Sequence, residues 1–241
     1  MTAAFILLAA FVTAAVSGVL GMAGGLLLLG ALLLVLPATV AFVVHGLLQL
    51  VSNGWRAVLQ RKHLQWAVVG RYSLGAVAAG LLVALVRYTP DKALTYLLLG
   101  LVPMLVWLPK DRLRLDAARP AHAVLAGLLV TAVNLTAGVA GPLLDVFFVR
   151  TALGRHAVVA TKAGTQVLSH LAKVLVYGGA AGQGIPWLVV AAAVPLSMLG
   201  TLLGSRLLDR LTDASFTTAT RWVVTAIGVV YLIQAGALAL A

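Results

Sequence analysis

Glycines interrupt a long apolar run near the start of the chain, in the stretch Gly18-Val19-Leu20-Gly21-Met22-Ala23-Gly24-Gly25. A second break, Gly138-Val139-Ala140-Gly141-Pro142, interrupts another apolar run in the second half. A helix needs about 20 apolar residues to cross a bilayer, and the apolar segments that follow the breaks are too short to cross alone. Each break therefore predicts a re-entrant-type helix pair, over 4–36 in the first half and over 121–153 in the second.

The two breaks align when Gly21 is placed on Gly138, and polar residues further along align at the same offset. The matching pairs are Gly21 with Gly138, Ala23 with Ala140, Gly24 with Gly141, Gln49 with Gln166, Ser52 with Ser169 and Arg56 with Lys173. Apolar residues coincide easily by chance, whereas glycine breaks and polar residues at one offset do not. The alignment predicts two structural repeats, 1–108 and 121–241, joined by the polar linker 109–120.

The composition places the protein in a membrane. Of its 241 residues, 62% are hydrophobic and only 10% are charged, whereas a soluble domain is about 45–50% apolar and about 25% charged. The net charge of +11 lies in short clusters between apolar runs, without the basic face that a nucleic acid would need. The chain contains no cysteine, which excludes disulfides, thiolate metal sites and cysteine nucleophiles.

Six further apolar runs have the length of spanning helices, three in each half. They cover 38–59, 66–88 and 92–108 in the first repeat and 155–177, 185–208 and 215–238 in the second. The predicted fold is an all-α integral membrane protein, in which each repeat is a glycine-broken, re-entrant-type helix pair followed by three spanning helices.

The distribution of Lys and Arg favours repeats of inverted topology. If each broken segment crossed the membrane once, the repeats would run parallel and the basic residues would divide almost evenly between the two faces. If each broken segment enters and returns on one side, only Arg87 and Lys92 lie opposite the other basic residues outside the spans. Cytoplasmic loops carry an excess of Lys and Arg. We therefore expect inverted repeats, with the linker 109–120 in the cytoplasm and both termini outside.

Two of the predicted spans carry a stripe of polar residues. Within 38–59 the polar residues fall inside about 100° of helical arc, and the repeat offset gives the same spacing in 155–177. The first stripe consists of His45, Gln49, Ser52, Asn53 and Arg56, and the second of Lys162, Gln166, Ser169, His170 and Lys173. Polar groups inside a bilayer are costly and usually face a bundle interior or an aqueous cavity.

The stripes contain more hydrogen-bond donors than carboxylates, which suits an oxyanion. Asp145 is the only carboxylate in the apolar runs. We expect it to form a salt bridge with Lys162 or Arg150, with a proton-carrying role as the alternative. For Ser52, Asn53 and Ser169, hydrogen bonds that tie helices together are the competing interpretation.

The glycine breaks supply a second kind of donor. Unwound backbone at membrane depth is tolerated where it lines a cavity, and the N-termini of half-helices direct free N–H groups and positive dipole ends at anions. The candidate backbone positions are Gly21, Gly24, Gly25, Gly138, Gly141 and Pro142. Close helix packing or a simple kink is the competing interpretation.

The sequences around both breaks resemble the TauE/SafE sulfite exporter family. The resemblance rests on the glycines of 18–25, their echo at 138–142, and Ala157-Val158-Val159-Ala160-Thr161. The segments Gly141-Pro142-Leu143-Leu144-Asp145, Ala160-Thr161-Lys162-Ala163 and Ser169-His170 look like one branch of that family. The resemblance implies transport of sulfite, sulfonates such as sulfoacetate or related organosulfur anions across the bacterial inner membrane, and it adds Thr161 to the candidate substrate-binding residues.

We expect a secondary transporter, working as an exporter, that moves a small sulfur oxyanion or organosulfonate by alternating access around a site at the bilayer midplane. The alternatives are a channel-like facilitator of inorganic anions and a membrane assembly factor that transports nothing. No hydrolase or nucleotide-binding motif is present, so we predict no enzyme activity, cofactor or metal site. The expected partners are a small anion and the lipid bilayer but no nucleic acid, and a homo-oligomer is compatible with the sequence.

Overall fold

The computed structural model describes residues 1–20, 22–108, 115–148, 151–208 and 213–240, and the regular elements in these ranges are helices. The first half contains α1 (Thr2–Leu20), α2 (Met22–Val35), α3 (Ala38–Leu59), α4 (Trp66–Leu85) and α5 (Lys92–Leu101). The second half contains α6 (Pro120–Thr136), α7 (Gly141–Phe148), α8 (Arg155–Ala181), α9 (Trp187–Leu208) and α10 (Asp213–Ala239). Short 3-10 helices cover Arg61–His63, Val102–Trp107 and Gly182–Gly184.

The outer surface of the helix bundle is suited to lipid. The helices long and apolar enough to cross a membrane include Thr2–Val19, Trp66–Leu85, Trp187–Leu207 and Thr220–Ala239. Large apolar side chains are exposed on these helices, such as Leu188 on α9 at 88%. Continuous apolar surface of this kind is unfavourable in water. The protein is therefore an all-helical, multi-pass membrane protein, which confirms the fold class expected from the composition.

Two helix pairs on opposite sides of the bundle pack closely at glycines. α1 lies along α9, where a Cβ at Gly200 would overlap the backbone at Phe11 and one at Gly204 would overlap the backbone at Ala15. The contact points advance together along both helices, so α1 and α9 run parallel. α4 lies along α6 in a similarly close contact. Small residues at such interfaces allow helix backbones to approach one another.

α3 and α8 pack against each other at the centre and run antiparallel. Phe42 packs on Tyr177 with ring centroids 5.7 Å apart, and His45 packs on His170 at 5.4 Å. The contacts therefore move toward the start of α8 as α3 advances. α4 and α6 also pack against α8, whereas α9 and α2 pack against α3. The two polar stripes are thus surrounded by other helices.

A short helix follows each glycine break, α2 in the first half and α7 in the second. α2 packs against α1, and a Cβ at Gly24 would overlap Thr13 and Ser17 of α1, so these two helices form an antiparallel hairpin. In the second half, Gly138 has a φ of +82°, a left-handed conformation that glycine adopts without strain. α7 begins three residues later. Gly21, the first glycine of the alignment, lies outside the described residues.

The polar linker between the halves is described only in its second part. Residues 109–114 lie outside the described ranges. After them, the backbone N–H of Ala117 donates a hydrogen bond to the carbonyl of Phe147 at 2.7 Å, and the N–H of Asp116 donates to His122 Nδ1 at 3.1 Å. The end of the linker is therefore hydrogen-bonded to α7 and to the start of α6.

Candidate functional site

The polar stripes of α3 and α8 face the interior of the protein. His45 and Lys173 are fully buried, and Gln49 and His170 are each 6% exposed. The helices that carry them are held at the centre by α2, α4, α6 and α9. Burial of so many polar groups is costly unless each finds a partner, so the hydrogen bonds they make define what this region can do.

A small cavity lies where the two stripes meet the two glycine breaks. Its volume is about 20 Å³, and it is lined by Ser17, Gly25, His45, Gln49, Val139, Gly141, Gln166 and His170. Gly25 and Gly141 lie in the first turns of α2 and α7. The lining therefore combines side chains from both stripes with the N-terminal turns of both half-helices.

A chain of hydrogen bonds connects the two breaks beside this cavity. His45 Nε2 lies 3.1 Å from the carbonyl of Gly25, and His45 Nδ1 lies 3.1 Å from Lys173 Nζ. Lys173 Nζ also donates to the carbonyl of Gly138. Because a carbonyl can only accept, Nε2 carries the proton and Nδ1 accepts from the ammonium group. The break of the first half is thereby joined to that of the second through one lysine and one histidine.

His170 lines the cavity, and one of its ring nitrogens has no hydrogen-bond partner among the described residues. Its Nδ1 is buried and makes no hydrogen bond there, although the side chain lines the cavity. A buried unpartnered nitrogen is unfavourable and calls for a water or a ligand. The unsatisfied Nδ1 therefore belongs to a residue that lines the cavity, and it is a candidate contact for a water or a ligand.

Lys162 and Asp145 form an ion pair one helical turn from the cavity. Asp145 follows Gly141 by one turn of α7, and Lys162 precedes Gln166 by one turn of α8. The side chain of Lys162 is 28% exposed and that of Asp145 is 19% exposed, unlike the fully buried Lys173. Lys162 is therefore less enclosed by the protein than Ser169, His170 and Lys173 of the same stripe.

The sequence profile of the sulfite exporter TauE/SafE family matches residues 6–231, nearly the whole chain. The protein belongs to the TauE/SafE family. This membership confirms the resemblance seen around the glycine breaks, and the family is one of membrane transporters. Neither a curated protein nor a solved structure shows significant similarity to the chain.

In this TauE/SafE protein the remaining stripe residues make hydrogen bonds within their own helix or to neighbouring elements and do not line the cavity. Ser52 Oγ lies 2.9 Å from Thr201 Oγ1 of α9, and Asn53 Nδ2 donates to Gln49 Oε1 at 3.2 Å. Arg56 donates to the carbonyl of Ser17 at 3.1 Å. In the second stripe, Ser169 bonds to hydroxyls on α4 and α6, and Thr161 Oγ1 accepts from the backbone N–H of Gln65 at 3.1 Å.

Two residues of the TauE/SafE protein that the sequence analysis missed lie on α1 and α6. Ser17 lines the cavity, and the repeat offset aligns it with Asn134. Asn134 is 2% exposed, and neither its Oδ1 nor its Nδ2 has a partner among the described residues. Ser17 lies near the end of α1 and Asn134 near the end of α6. Their alignment at the repeat offset was the signal that could have identified both residues.

Proposed function

We propose that this protein is a secondary transporter that exports a small sulfur oxyanion or organosulfonate, such as sulfite or sulfoacetate. The observation that carries the proposal is the cavity bounded by both polar stripes and by the first turns of both half-helices. Membership of a sulfite exporter family supports the same class of substrate. An inside-negative membrane potential favours anion export by about 2.3 kcal/mol per charge per 100 mV.

The donor groups around the cavity are those that an oxyanion requires. Gln49 and Gln166 carry amide N–H groups, and the His170 ring carries at least one N–H in either its neutral or its protonated form. The positive ends of the α2 and α7 dipoles add to the attraction for negative charge. In our proposal these groups contact the substrate, whereas Ser52, Ser169 and Thr161 hold the helices that carry them.

We further propose two inverted repeats, 1–108 and 121–241, related by an axis in the membrane plane. The antiparallel packing of α3 on α8 supports this, because the repeat offset makes these helices equivalent. The repeat also makes α1 equivalent to α6 and α9 equivalent to α4. The contact of α1 with α9 therefore corresponds to the contact of α6 with α4. The charge distribution supports a cytoplasmic position for the linker 109–120, and the location we propose is the bacterial inner membrane.

We propose alternating access as the mechanism, and the size of the cavity supports it. A volume of about 20 Å³ holds roughly one water molecule, whereas sulfite has one sulfur and three oxygens. Binding and release therefore require the helices around the cavity to separate. The small, polar cavity favours a transporter over the channel-like alternative, in which the stripes would be continuously hydrated.

The proposal is tested by counterflow of radiolabelled sulfite in proteoliposomes, with sulfoacetate, thiosulfate, sulfate and acetate as competitors. Wild-type protein is expected to give saturable exchange with a sulfur anion. Gln166→Leu removes an amide from the cavity and is expected to lower transport about tenfold or more, because one lost hydrogen bond to a charged ligand is worth roughly 1.5–3 kcal/mol.

The matched control is Gln183→Leu, since Gln183 lies exposed in the 3-10 helix Gly182–Gly184. It should transport like the wild type. Flux that does not saturate would favour the channel. A monodisperse wild-type protein that moves none of these anions would contradict the proposal and favour the assembly-factor alternative.

A further inference from the structure

The cations around the cavity differ in what holds them. Lys173 binds the carbonyl of Gly138, and Arg56 binds the carbonyl of Ser17. The Ser17 carbonyl lies in the last turn of α1, and the Gly138 carbonyl lies just beyond the last turn of α6. The dipole of a helix favours a cation at its C-terminal end. These two basic side chains are therefore held by backbone carbonyls. Lys162 differs because its partner is the carboxylate of Asp145.

A carboxylate resembles the proposed substrates in charge and in its oxygen acceptors. Gly141 and Gln166 line the cavity. Asp145 lies one turn from Gly141, and Lys162 lies one turn from Gln166, so the ion pair is adjacent to the cavity. The side chain of Lys162 is 28% exposed and that of Asp145 is 19% exposed, so neither charge is fully enclosed by the protein.

The ion pair belongs to one repeat only. At the repeat offset, Leu28 corresponds to Asp145 and His45 corresponds to Lys162. Leu28 is a buried core residue, and His45 is bound to the Gly25 carbonyl and to Lys173. If the pair served only to join α7 to α8, we would expect an equivalent pair between α2 and α3 in the first repeat. Its presence on one side of the cavity is typical of a feature that serves the ligand.

We propose that the transported anion displaces the carboxylate of Asp145 from Lys162, so that Asp145 is a tethered competitor that sets substrate affinity and assists release. This inference rests on the proposed anion transport. Lys162 is the cation that the substrate gains on entering, and Asp145 recovers it when the substrate leaves. Anions are selected because they alone can replace the carboxylate.

A competitor and a structural salt bridge predict different orders of affinity. With a competitor, Asp145→Asn frees Lys162 and tightens anion binding by about tenfold, since the coupling of close charge pairs is worth roughly 1.5 kcal/mol or more. Lys162→Gln leaves an uncompensated carboxylate that repels the anion and gives the weakest binding. The double variant with both changes, which carries neither charge, binds between the wild type and Lys162→Gln.

The test measures equilibrium binding of radiolabelled sulfite and, separately, of sulfoacetate to the four purified full-length proteins, together with their thermal unfolding. The expected order of affinity is Asp145→Asn, wild type, double variant and Lys162→Gln. Asp145→Asn is also expected to lower the maximal counterflow rate while it lowers the half-saturating concentration, because release slows.

A structural salt bridge gives another result. Both single variants would then unfold at lower temperature, the double variant would recover, and Asp145→Asn would bind either anion no more tightly than the wild type. That outcome overturns the competitor inference while saturable wild-type transport leaves the proposed function intact. A wild type that neither binds nor transports sulfite or sulfoacetate overturns both.

Discussion

At the scale of single residues, Ser169 tests whether a stripe residue serves the fold or the substrate. Its Oγ lies 2.6 Å from Tyr72 Oη and 2.8 Å from Thr131 Oγ1, and both partner side chains are buried. Ser169→Ala leaves two buried hydroxyls without this partner, so it is expected to lower the free energy of unfolding by about 1–3 kcal/mol. The measurement is reversible unfolding in detergent, with Ser73→Ala as the control, since Ser73 bonds to Gly70 within its own helix and its loss should cost about 0.5 kcal/mol or less. Equal stability of the two variants would contradict the structural role.

Residue spacing predicted which side chains share a face but not which of them share a contact. The steps between His45, Gln49 and Asn53 define one face of a helix, and the structure brings the first two to the cavity. Asn53 instead bonds within its own helix. Such differences depend on the neighbouring helix, whose distance no spacing encodes. The hydrogen bonds from Lys173 to His45 and to Gly138 could not be predicted for the same reason.

At the scale of helices, the contact between α4 and α6 depends on glycine. A Cβ at Gly75 would overlap the carbonyl of Val124 and the N–H of Leu128 on α6, whereas a Cβ at Gly70 of the same helix meets no atom within 4 Å. Gly75→Ala is expected to lower the free energy of unfolding by about 1–3 kcal/mol, because backbone atoms must move apart. Gly70→Ala should be neutral or stabilising by up to about 1 kcal/mol, since alanine is the better helix former. Thermal unfolding of the two variants decides, and equal midpoints would contradict the close contact.

Helix positions followed from the apolar runs, whereas several helix ends did not. The run at 92–108 predicted one helix, but α5 ends at Leu101 and continues as the 3-10 helix Val102–Trp107. Pro103 at the start of that segment lacks the N–H that an α-helix would use. α8 continues past 177 to Ala181 and ends at Gly182, whose φ is +49°. These ends depend on local backbone chemistry that hydropathy does not report.

At the scale of the whole molecule, the repeat is what relates sequence to architecture. The offset that aligns Gln49 with Gln166 makes α3 equivalent to α8, and these helices pack antiparallel at the centre. If the two helices are equivalent, their antiparallel packing supports the inverted repeats that we propose. Charge counting on the sequence led to the same expectation from an independent property.

Cysteine labelling distinguishes inverted from parallel repeats, because the chain contains no native cysteine. Gln183→Cys, in the exposed turn after α8, lies outside if the repeats are inverted and inside if they are parallel. We expect a membrane-impermeant maleimide to label it in intact cells. Thr89→Cys, exposed between α4 and α5, should be labelled in either arrangement, and Lys62→Cys, exposed after α3, in neither. Labelling of Gln183→Cys only after the membrane is permeabilised would mean that α8 runs in the same direction as α3 across the bilayer, and the inverted arrangement would have to be abandoned.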